Sequence, residues 1–433
     1  AAADDPSSWG VKDKKLTGPG GFTIDLSKCA GKWEDTAGIT DTEIRLGQSI
    51  AQSGALAIHG EIAQGMKNYY DYINATEGGI GGKKITINQK DDAYEAARAK
   101  ANIDEMVETG NLFAFSSVLG TPVVLATYDK MNEYCYPNLN SATGHPAWGD
   151  PMNHPWTTGP IGVSYNTEAL IWGKYLADKY PTQQLTVAAL VLQNDFGVAY
   201  KNSFDAFAKS KGWKVTYENH DPQAPQIINE MTTLASTNAD VIILMTASGF
   251  CTQGFTALAQ STWKPKEKIA PQTCAALNFW HPAGQAAVDW VVETPVYDIT
   301  EPSDQNQPFV KLARENLQKA GLEPTAQRGN GYIYAWPMVD ALKRAAKMPG
   351  GLSRTNLILA ARALRGAEKH PMVREGIPYE MWGAQDAYPV EGAIFARYQL
   401  PAGQEKGSLV PFGQVVDQNG QTPNCAWDGK VCK

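Results

Sequence analysis

The sequence predicts an α/β protein with two doubly wound lobes, each a parallel β-sheet covered by helices. The chain has 433 residues, which is long for one hydrophobic core and favours two lobes. Strand-like and helix-like segments alternate over residues 43–141 and again over 165–296, as is typical of parallel sheets with crossover helices. A Pro- and Gly-rich interval at 144–162 separates the two runs and predicts a crossing between lobes.

The first lobe opens with a predicted βαβ unit over residues 43–92. Its first strand, 43–50, leads through the turn Gln52-Ser53-Gly54 into a helix whose apolar residues recur at helical spacing. The N–H groups and hydroxyl of such a turn face the carboxyl edge of the sheet, where ligands of open α/β folds bind. The glycines at 78–82 precede a strand and not a helix, so they do not predict a phosphate-binding loop.

The later elements follow from the same patterns. The rest of the first lobe is predicted as strands 85–91, 112–116 and 136–141 and helices 94–109 and 121–132. The second lobe is predicted as helices 165–179, 196–211, 223–237 and 253–261 and strands 185–193, 214–219, 240–246, 268–272 and 290–296. Helices 309–320, 331–347 and 355–364 and strands 393–400 and 409–417 complete the chain.

Chain crossings near residues 160, 297 and 376 predict a hinge of three strands between the lobes. The expected division is an irregular arm at 1–38, lobe 1 at 39–160 plus 298–376, and lobe 2 at 161–297 plus 377–433. The division therefore predicts that each lobe is built from more than one stretch of the chain.

Composition and charge exclude several classes of partner. A net charge of -7 is modest and acidic, which argues against binding nucleic acid or an anionic membrane surface. No apolar run approaches the roughly 20 residues that span a bilayer, and no signal peptide opens the chain. Ala1 is therefore interpreted as either a cytosolic start or a processed, mature end.

Six cysteines bear on that choice, because an even number favours disulfides in an oxidising compartment. Six cysteines allow 15 pairings, and the sequence does not choose among them. Our hypothesis pairs Cys425 with Cys432 across a short turn, Cys251 with Cys274 at the ends of neighbouring strands, and the remaining Cys29 with Cys135. The alternative is a cytosolic protein with buried free thiols. No CxxC pair occurs and no His stands at ligand spacing, so we expect no metal site.

Catalytic motifs are absent from the sequence. It contains no GxSxG, HExxH or GxxxxGK[ST] segment, and its six histidines are scattered. Asp91 and Asp92 could form a paired-carboxylate catalyst, but a strand-end pair that caps the next helix is the better interpretation. We therefore expect neither an enzyme nor a cofactor.

Family-like motifs occur in a consistent order over most of residues 40–350. They are IRLGQSIAQSG, INATEGGIGGKKI, KDDAYEAARAKANIDEMV, LNSATGHP, LQNDFGVAYKNSF and ADVIILMTASGF. Together they resemble the leucine/isoleucine/valine-binding branch of the type I periplasmic binding proteins, the solute receptors of branched-chain amino acid ABC importers. The resemblance implies a monomer in the periplasm or on the cell surface, with or without a lipid anchor on its precursor. It also implies that the lobes close on a small ligand and deliver it to a membrane permease.

The resemblance implies a set of ligand-binding residues along the cleft. Those in the first lobe are Gln52, Ser53, Gly54, Ser117, Val118, Ser141, Ala142 and Thr143. Those that come later in the chain are Phe196, Ser248, Phe250, Gln272, Cys274 and Tyr332. The hydroxyl and N–H groups around Ser117 and Ser141 to Thr143 are expected to hold a ligand carboxylate.

One departure from the family bears on the ligand. Amino-acid receptors of this family place a carboxylate after the strand that corresponds to 268–272, but here the segment reads APQTCAALNFW. A buried ammonium without a partner costs several kcal/mol, so an α-amino acid is disfavoured unless Asp195 or Glu301 substitutes. The cleft margin is also expected to be rich in aromatic residues, namely Trp148, Phe250, Phe279, Trp280, Tyr332 and Tyr334.

These features favour a hydrophobic or aromatic carboxylate as the ligand. Branched-chain amino acids or amides come second. Two other functions stay open, a ligand-sensing module of the same fold and an NAD-dependent enzyme, although the sequence lacks a GxGxxG motif after a strand.

Overall fold

The computed structural model describes residues 5–109 and 111–433. A small antiparallel sheet comes first, made of β1 (Gly10–Lys12), β2 (Lys15–Thr17) and β3 (Thr23–Asp25). The sequence predicted an irregular arm here, because strands of three residues are too short to give a recognisable alternation. Residues 1–4 of that arm lie outside the described residues.

The sheet of the first lobe is fully parallel, as predicted. Its strands are β4 (Glu43–Ile50), β5 (Lys84–Asp91), β6 (Ala114–Ser116) and β7 (Asn138–Leu139), in the order β5-β4-β6-β7. The connecting helices are α1 (Gly60–Glu77), α2 (Ala96–Glu108) and α3 (Thr121–Glu133). Gly78 ends α1 in the left-handed conformation, at φ 70°, which a residue without Cβ adopts at no steric cost.

The second lobe has a larger, mixed sheet. Its strands are β8 (Thr186–Leu192), β9 (Lys214–His220), β10 (Val241–Met245), β11 (Glu267–Ala270), β12 (Val291–Thr294), β13 (Gly392–Gln399) and β14 (Ser408–Asp417). The order is β14-β13-β12-β11-β10-β8-β9, parallel except for the pairings of β13 and β14. The helices are α4 (Tyr165–Lys179), α5 (Asp195–Ser210), α6 (Ile228–Ser236) and α7 (Gly249–Gln260). Every residue of β10 is buried, as expected for a strand covered on both faces.

The late helices return to the first lobe. They are α8 (Pro308–Lys319), α9 (Ala326–Lys347) and α10 (Arg354–Arg362), and α9 packs along α1. This contact is very close, because a Cβ on Gly65 would lie 2.0 Å from the backbone oxygen of Arg328. The sequence placed the start of α9 at residue 331. The helix begins earlier because the Thr325 hydroxyl accepts a hydrogen bond from the Arg328 N–H group and caps it.

Three connections join the two large sheets, at residues 140–164, 295–307 and 363–391. The second and third connections touch through an antiparallel bridge between Val296 and Val373. The chain crossings expected near residues 160, 297 and 376 fall inside these three connections. The assignment of each stretch of the chain to a lobe stays a prediction.

Disulfides form in each of the three hypothesised pairs. Cys29–Cys135 ties the N-terminal region to the end of α3, Cys251–Cys274 joins α7 to the segment after β11, and Cys425–Cys432 closes a short C-terminal loop. No helix in the described part of the chain combines the length and the hydrophobicity needed to cross a lipid bilayer.

Candidate ligand-binding site

A cavity of about 170 Å³ lies between the two large sheets. The first lobe contributes residues that follow β6 and β7, at 119–121 and 142–144. The second lobe contributes residues that follow β10, β11 and β12, and all three connections add to the wall. Because the carboxyl ends of the parallel strands of both sheets face this cavity, it occupies the position where open α/β folds bind ligands.

A polar group stands at the start of α3. The hydroxyl oxygens of Thr121 and Thr143 are 2.6 Å apart, and the Thr143 hydroxyl is 3.2 Å from that of Tyr165. All three residues line the cavity. Burial raises the pKa of Tyr165 to about 12, so this hydroxyl keeps its proton at neutral pH. The first N–H groups of α3 lack partners within the helix, and the helix dipole favours negative charge beside them. This corner of the cavity is therefore suited to an anion.

Gly120 allows the chain to enter α3 at this corner. Its φ is 104°, and a Cβ on this residue would lie 2.5 Å from Cε2 of Tyr94. Any side chain here would be strained and would also displace the Tyr94 ring. The position therefore requires glycine.

Apolar side chains form most of the remaining wall. They include Leu56, Ile62, Leu119, Ile161, Val163, Phe196, Val296, Ile333 and Leu409. The ring of Phe196 packs edge-on against Tyr165, with 4.8 Å between ring centroids. Asn194 fixes the start of α5 by accepting the N–H groups of Phe196 and Gly197. The cavity therefore combines one polar corner with a largely hydrophobic body.

Two acids also line the cavity, both from the second connection. One carboxylate oxygen of Asp298 accepts hydrogen bonds from the N–H and hydroxyl of Thr300, and one of Glu301 accepts the Leu409 N–H group. Among the described residues, none donates a hydrogen bond to the other oxygen of either acid. Burial raises the pKa of Asp298, and it raises that of Glu301 to about 7. A cationic or hydrogen-bond-donating group could therefore be accepted here.

Four of the fourteen implied ligand-binding residues line the cavity, namely Ala142, Thr143, Phe196 and Gln272. Ser117, Val118 and Ser141 are buried behind this wall, and the Ser141 hydroxyl accepts a hydrogen bond from Asn138. The ligand role of all fourteen stays a prediction.

The turn Gln52 to Gly54 lies outside the cavity wall because Asp91 uses its polar groups. Asp91 accepts the N–H groups of Gln52 and Ser53 at 2.8 and 3.2 Å, and the Ser53 hydroxyl at 2.5 Å. Although partial burial acts in the opposite direction, hydrogen bonds from Ser53, Gln52 and Ala93 lower the pKa of Asp91 to about 2. Asp92 is fully buried and accepts the Ser49 hydroxyl and the Tyr94 N–H group, so both acids are structural in this fold.

The other implied residues also have partners elsewhere. Ser248 hydrogen-bonds His59 across the cleft at 3.0 Å, and Phe250 packs on His220. Cys274 is in a buried disulfide with Cys251. The Tyr332 hydroxyl donates a hydrogen bond to the side-chain oxygen of Asn68 on α1. Of the aromatic residues expected at the cleft margin, Tyr334 lines the cavity, whereas Trp148 and Trp280 are fully buried.

The sequence did not single out Tyr94, Thr121, Tyr165 or Asp298 as site residues. Thr121 had a usable signal, because it begins a predicted helix directly after a strand of the parallel sheet. Tyr165 and Asp298 stand in or beside connections, where no periodic pattern exists. Of the two acids suggested as substitutes for the missing carboxylate, Glu301 lines the cavity, whereas Asp195 does not. In the part of the chain that the structure describes, no group of three or more His, Cys, Asp or Glu side chains could hold a metal ion.

Solved structures of similar fold include substrate-binding proteins of ABC transporters. The fatty acid ABC transporter substrate-binding protein from Thermomonospora curvata shares 19% identity at a TM-score of 0.75, covering 92% of this chain and 98% of its own. A branched-chain amino acid ABC transporter protein from Thermus thermophilus with bound valine shares 17% sequence identity at a TM-score of 0.75. That match covers 87% of this chain and 98% of the Thermus protein. A solute-binding protein from Rhodopseudomonas palustris BisB5 in complex with 3,4-dihydroxybenzoic acid shares 19% sequence identity at a TM-score of 0.71. That match covers 88% of this chain and 99% of the Rhodopseudomonas protein.

Comparison with curated proteins returns no match. Comparison with protein families matches residues 43–399 to the periplasmic binding proteins, which is most of the chain and includes both large sheets up to β13. This family binds solutes and does not catalyse reactions, in agreement with the expectation from the sequence motifs. The chain belongs to the periplasmic binding protein family.

Proposed function

We propose that this protein is the extracytoplasmic solute receptor of an ABC importer and that it binds a hydrophobic or aromatic carboxylate. The observation that carries the proposal is the anion-suited corner of Thr121, Thr143 and Tyr165, which opens into a mainly apolar cavity. Two proteins of similar fold are a fatty acid ABC transporter substrate-binding protein and a solute-binding protein in complex with 3,4-dihydroxybenzoic acid. Their low identity means that the ligand class rests on the cavity of this chain.

In this proposal the Thr121 hydroxyl donates to the Thr143 hydroxyl, and the ligand carboxylate accepts hydrogen bonds from the Thr143 hydroxyl and from N–H groups at the start of α3. The apolar body then lies against Phe196, Ile161 and Leu409, which removes hydrocarbon surface from water. Residues from both lobes line the cavity, so the ligand favours the closed arrangement of the lobes. The closed monomer would then dock on a membrane permease outside the cytoplasm.

A thermal-shift panel tests the ligand class. Octanoate, decanoate, benzoate, 3,4-dihydroxybenzoate, leucine and valine are compared at equal concentrations, because a ligand that binds only the folded protein raises its Tm. We expect one of the four carboxylates without an amino group to give the largest shift. A largest shift from leucine or valine would contradict the proposal.

A variant pair tests where the carboxylate binds. Thr143→Val removes a hydroxyl while keeping the shape of the side chain, and the loss of a hydrogen bond to a charged group weakens binding roughly 10- to 100-fold. Thr127→Val is the matched control, because the Thr127 hydroxyl bonds a carbonyl of its own helix and Thr127 does not line the cavity. Equal affinities of the two variants for the carboxylate that scores best in the panel would contradict this location.

Branched-chain amino acids are the second candidate, favoured by Asp298 and Glu301. The unpartnered oxygens of these acids could accept an ammonium group while α3 holds the carboxylate. Asp298→Asn separates the candidates. It should weaken leucine binding at least tenfold if an ammonium binds there, but it should leave the affinity for a simple carboxylate unchanged or raise it, because a nearby negative charge is removed.

A further inference from the structure

Two glutamates, Glu168 on α4 and Glu293 on β12, meet in the interior of the second lobe. Both are fully buried, and their carboxyl groups lie close enough for one to donate a hydrogen bond to the other once it carries a proton. The described residues include no Lys, Arg or His that hydrogen-bonds or ion-pairs with either carboxyl. The titratable groups that face the two carboxyls from the helices packed around them are the hydroxyls of Tyr165 on α4 and Tyr200 on α5. Two buried carboxylates in contact would repel each other strongly, so a proton between them is required.

The donors around the pair decide which carboxyl carries that proton. Glu168 accepts hydrogen bonds from the Gln272 N–H at 2.7 Å, the Gln272 side-chain amide at 2.7 Å and the Tyr200 hydroxyl at 2.6 Å. Three donors on two oxygens fit an ionised carboxylate. Glu293 accepts only the Trp172 indole N–H, at 2.9 Å on Oε2, and apart from its contact with Glu168 its Oε1 has no partner. Glu293 is therefore the protonated member and donates to Glu168.

The pair holds a residue of the cavity wall. Gln272 lines the cavity directly after β11, and its amide bonds Glu168 on one side and both the N–H and carbonyl of Val163 on the other. Val163 belongs to the first connection between the lobes, and Thr294, next to Glu293, precedes the second connection. Glu168 thus fixes the orientation of Gln272 and, through it, the position of the first connection beside the cavity.

We propose that Glu168 and Glu293 share one proton, that Glu168 positions Gln272 in the cavity wall, and that loss of the proton at alkaline pH displaces Gln272, because the two carboxylates then repel each other and Glu168 shifts. Glu168 acts through Gln272, so it is a positioning residue and does not touch the ligand. The consequence for ligand affinity rests on the proposed function, whereas the protonation and the position of Gln272 do not. Burial raises the pKa of both carboxyls, in agreement with a proton retained at neutral pH.

The test uses the ligand-free protein, so its result does not depend on the identity of the ligand. The ¹H–¹⁵N resonance of the Trp172 indole, assigned with Trp172→Phe, is followed from pH 6 to pH 10 together with the side-chain amide resonances of Gln272. In the wild type both are expected to shift in one common titration, and Tm is expected to fall over the same pH range.

Two variants with opposite expectations complete the test. Glu293→Gln keeps a donor to Glu168 and an acceptor for Trp172, so it should retain the neutral-pH Tm and abolish the alkaline titration. Glu168→Gln leaves one acceptor oxygen for the four donors, Glu293 included, so it should lower Tm by several degrees at every pH and displace the Gln272 amide resonances. Glu108→Gln, at a surface carboxyl of α2, should behave as the wild type.

Three results would overturn the proposal. One is a Trp172 resonance that does not titrate in the wild type. Another is a Glu293→Gln variant that titrates like the wild type. The third is a Gln272 amide that stays unchanged in Glu168→Gln.

Discussion

The Arg374 guanidinium forms a two-pronged ion pair with the Asp304 carboxylate, with N to O distances of 2.9 and 3.1 Å. Arg374 belongs to the third connection between the lobes and Asp304 to the second. The two side chains are only 10% and 3% exposed. The backbone N–H of Arg374 also donates a hydrogen bond to the backbone carbonyl of Pro295. The ion pair and this backbone bond therefore hold the two connections side by side. A lobe movement must therefore bend these two connections together.

Replacing Asp304 with Asn should destabilise the protein strongly. The guanidinium would remain buried without its counter-charge, and the loss of one partner of a buried ion pair costs about 3–5 kcal/mol. The measurement is the free energy of unfolding in urea. Asp71→Asn is the control, because the exposed Lys67–Asp71 pair on α1 should contribute less than about 1 kcal/mol. Equal effects of the two substitutions would show that the Arg374–Asp304 pair does not hold the connections together.

His370 should make the third connection sensitive to acid. Its Nε2 donates to the Ile333 carbonyl and its Nδ1 accepts the Met372 N–H group, an arrangement that only the neutral imidazole can satisfy. Burial lowers the pKa of His370 to about 4. Because the pKa in the unfolded chain is about 6.5, the stabilisation is fully present above pH 6.5 and is lost as the pH falls through 4.

The variant His370→Gln isolates this contribution from those of other groups. Wild type should be more stable than the variant at pH 7, and the difference in unfolding free energy should shrink as the pH falls from 6.5 to 4. Urea unfolding at several pH values gives this difference directly. A difference that stays constant with pH would mean that His370 is not held neutral in the folded protein.

Gly65 should tolerate no larger residue, because α1 and α9 are in contact there. Alanine has the higher helix propensity by about 1 kcal/mol, but its Cβ would meet the Arg328 backbone at 2.0 Å and force the helices apart. Gly65→Ala is therefore expected to lower the free energy of unfolding by at least about 1–3 kcal/mol. Gly249→Ala, at the exposed start of α7 with open space around its Cβ, is the matched control and should be neutral or stabilising. A stabilised Gly65→Ala would contradict the close packing.

The alternation of strands and helices predicted the fold well, because apolar strands such as β10 are buried on both faces and leave an unmistakable pattern. The chain ends and short strands were harder to predict from the sequence, since the three-residue strands β1 to β3 depend on tertiary pairing. The site was harder to predict for a related reason. Ser53 and Thr143 look alike in sequence, each a hydroxyl beside a strand end, and only the fold shows that Asp91 binds one while the cavity adjoins the other. Glu168 gave no signal at all, because an acid in an amphipathic helix is usually at the surface.

Ser53 offers a direct test of this distinction. Its hydroxyl donates to Asp91 Oδ2, and Ser53 does not line the cavity, so Ser53→Ala should remove one charge-assisted hydrogen bond and leave ligand binding unchanged. The expected loss of stability is about 1–2 kcal/mol, with a rise in the pKa of Asp91, because the hydrogen bond from Ser53 helps to keep that pKa low. Urea unfolding and an NMR titration of the Asp91 carboxyl measure the two effects. Thr143→Val provides the opposite case, with a large loss of affinity for the carboxylate that scores best in the panel. A tenfold loss of that affinity in Ser53→Ala would instead place the Gln52 to Gly54 turn in contact with the ligand, as the family resemblance implies.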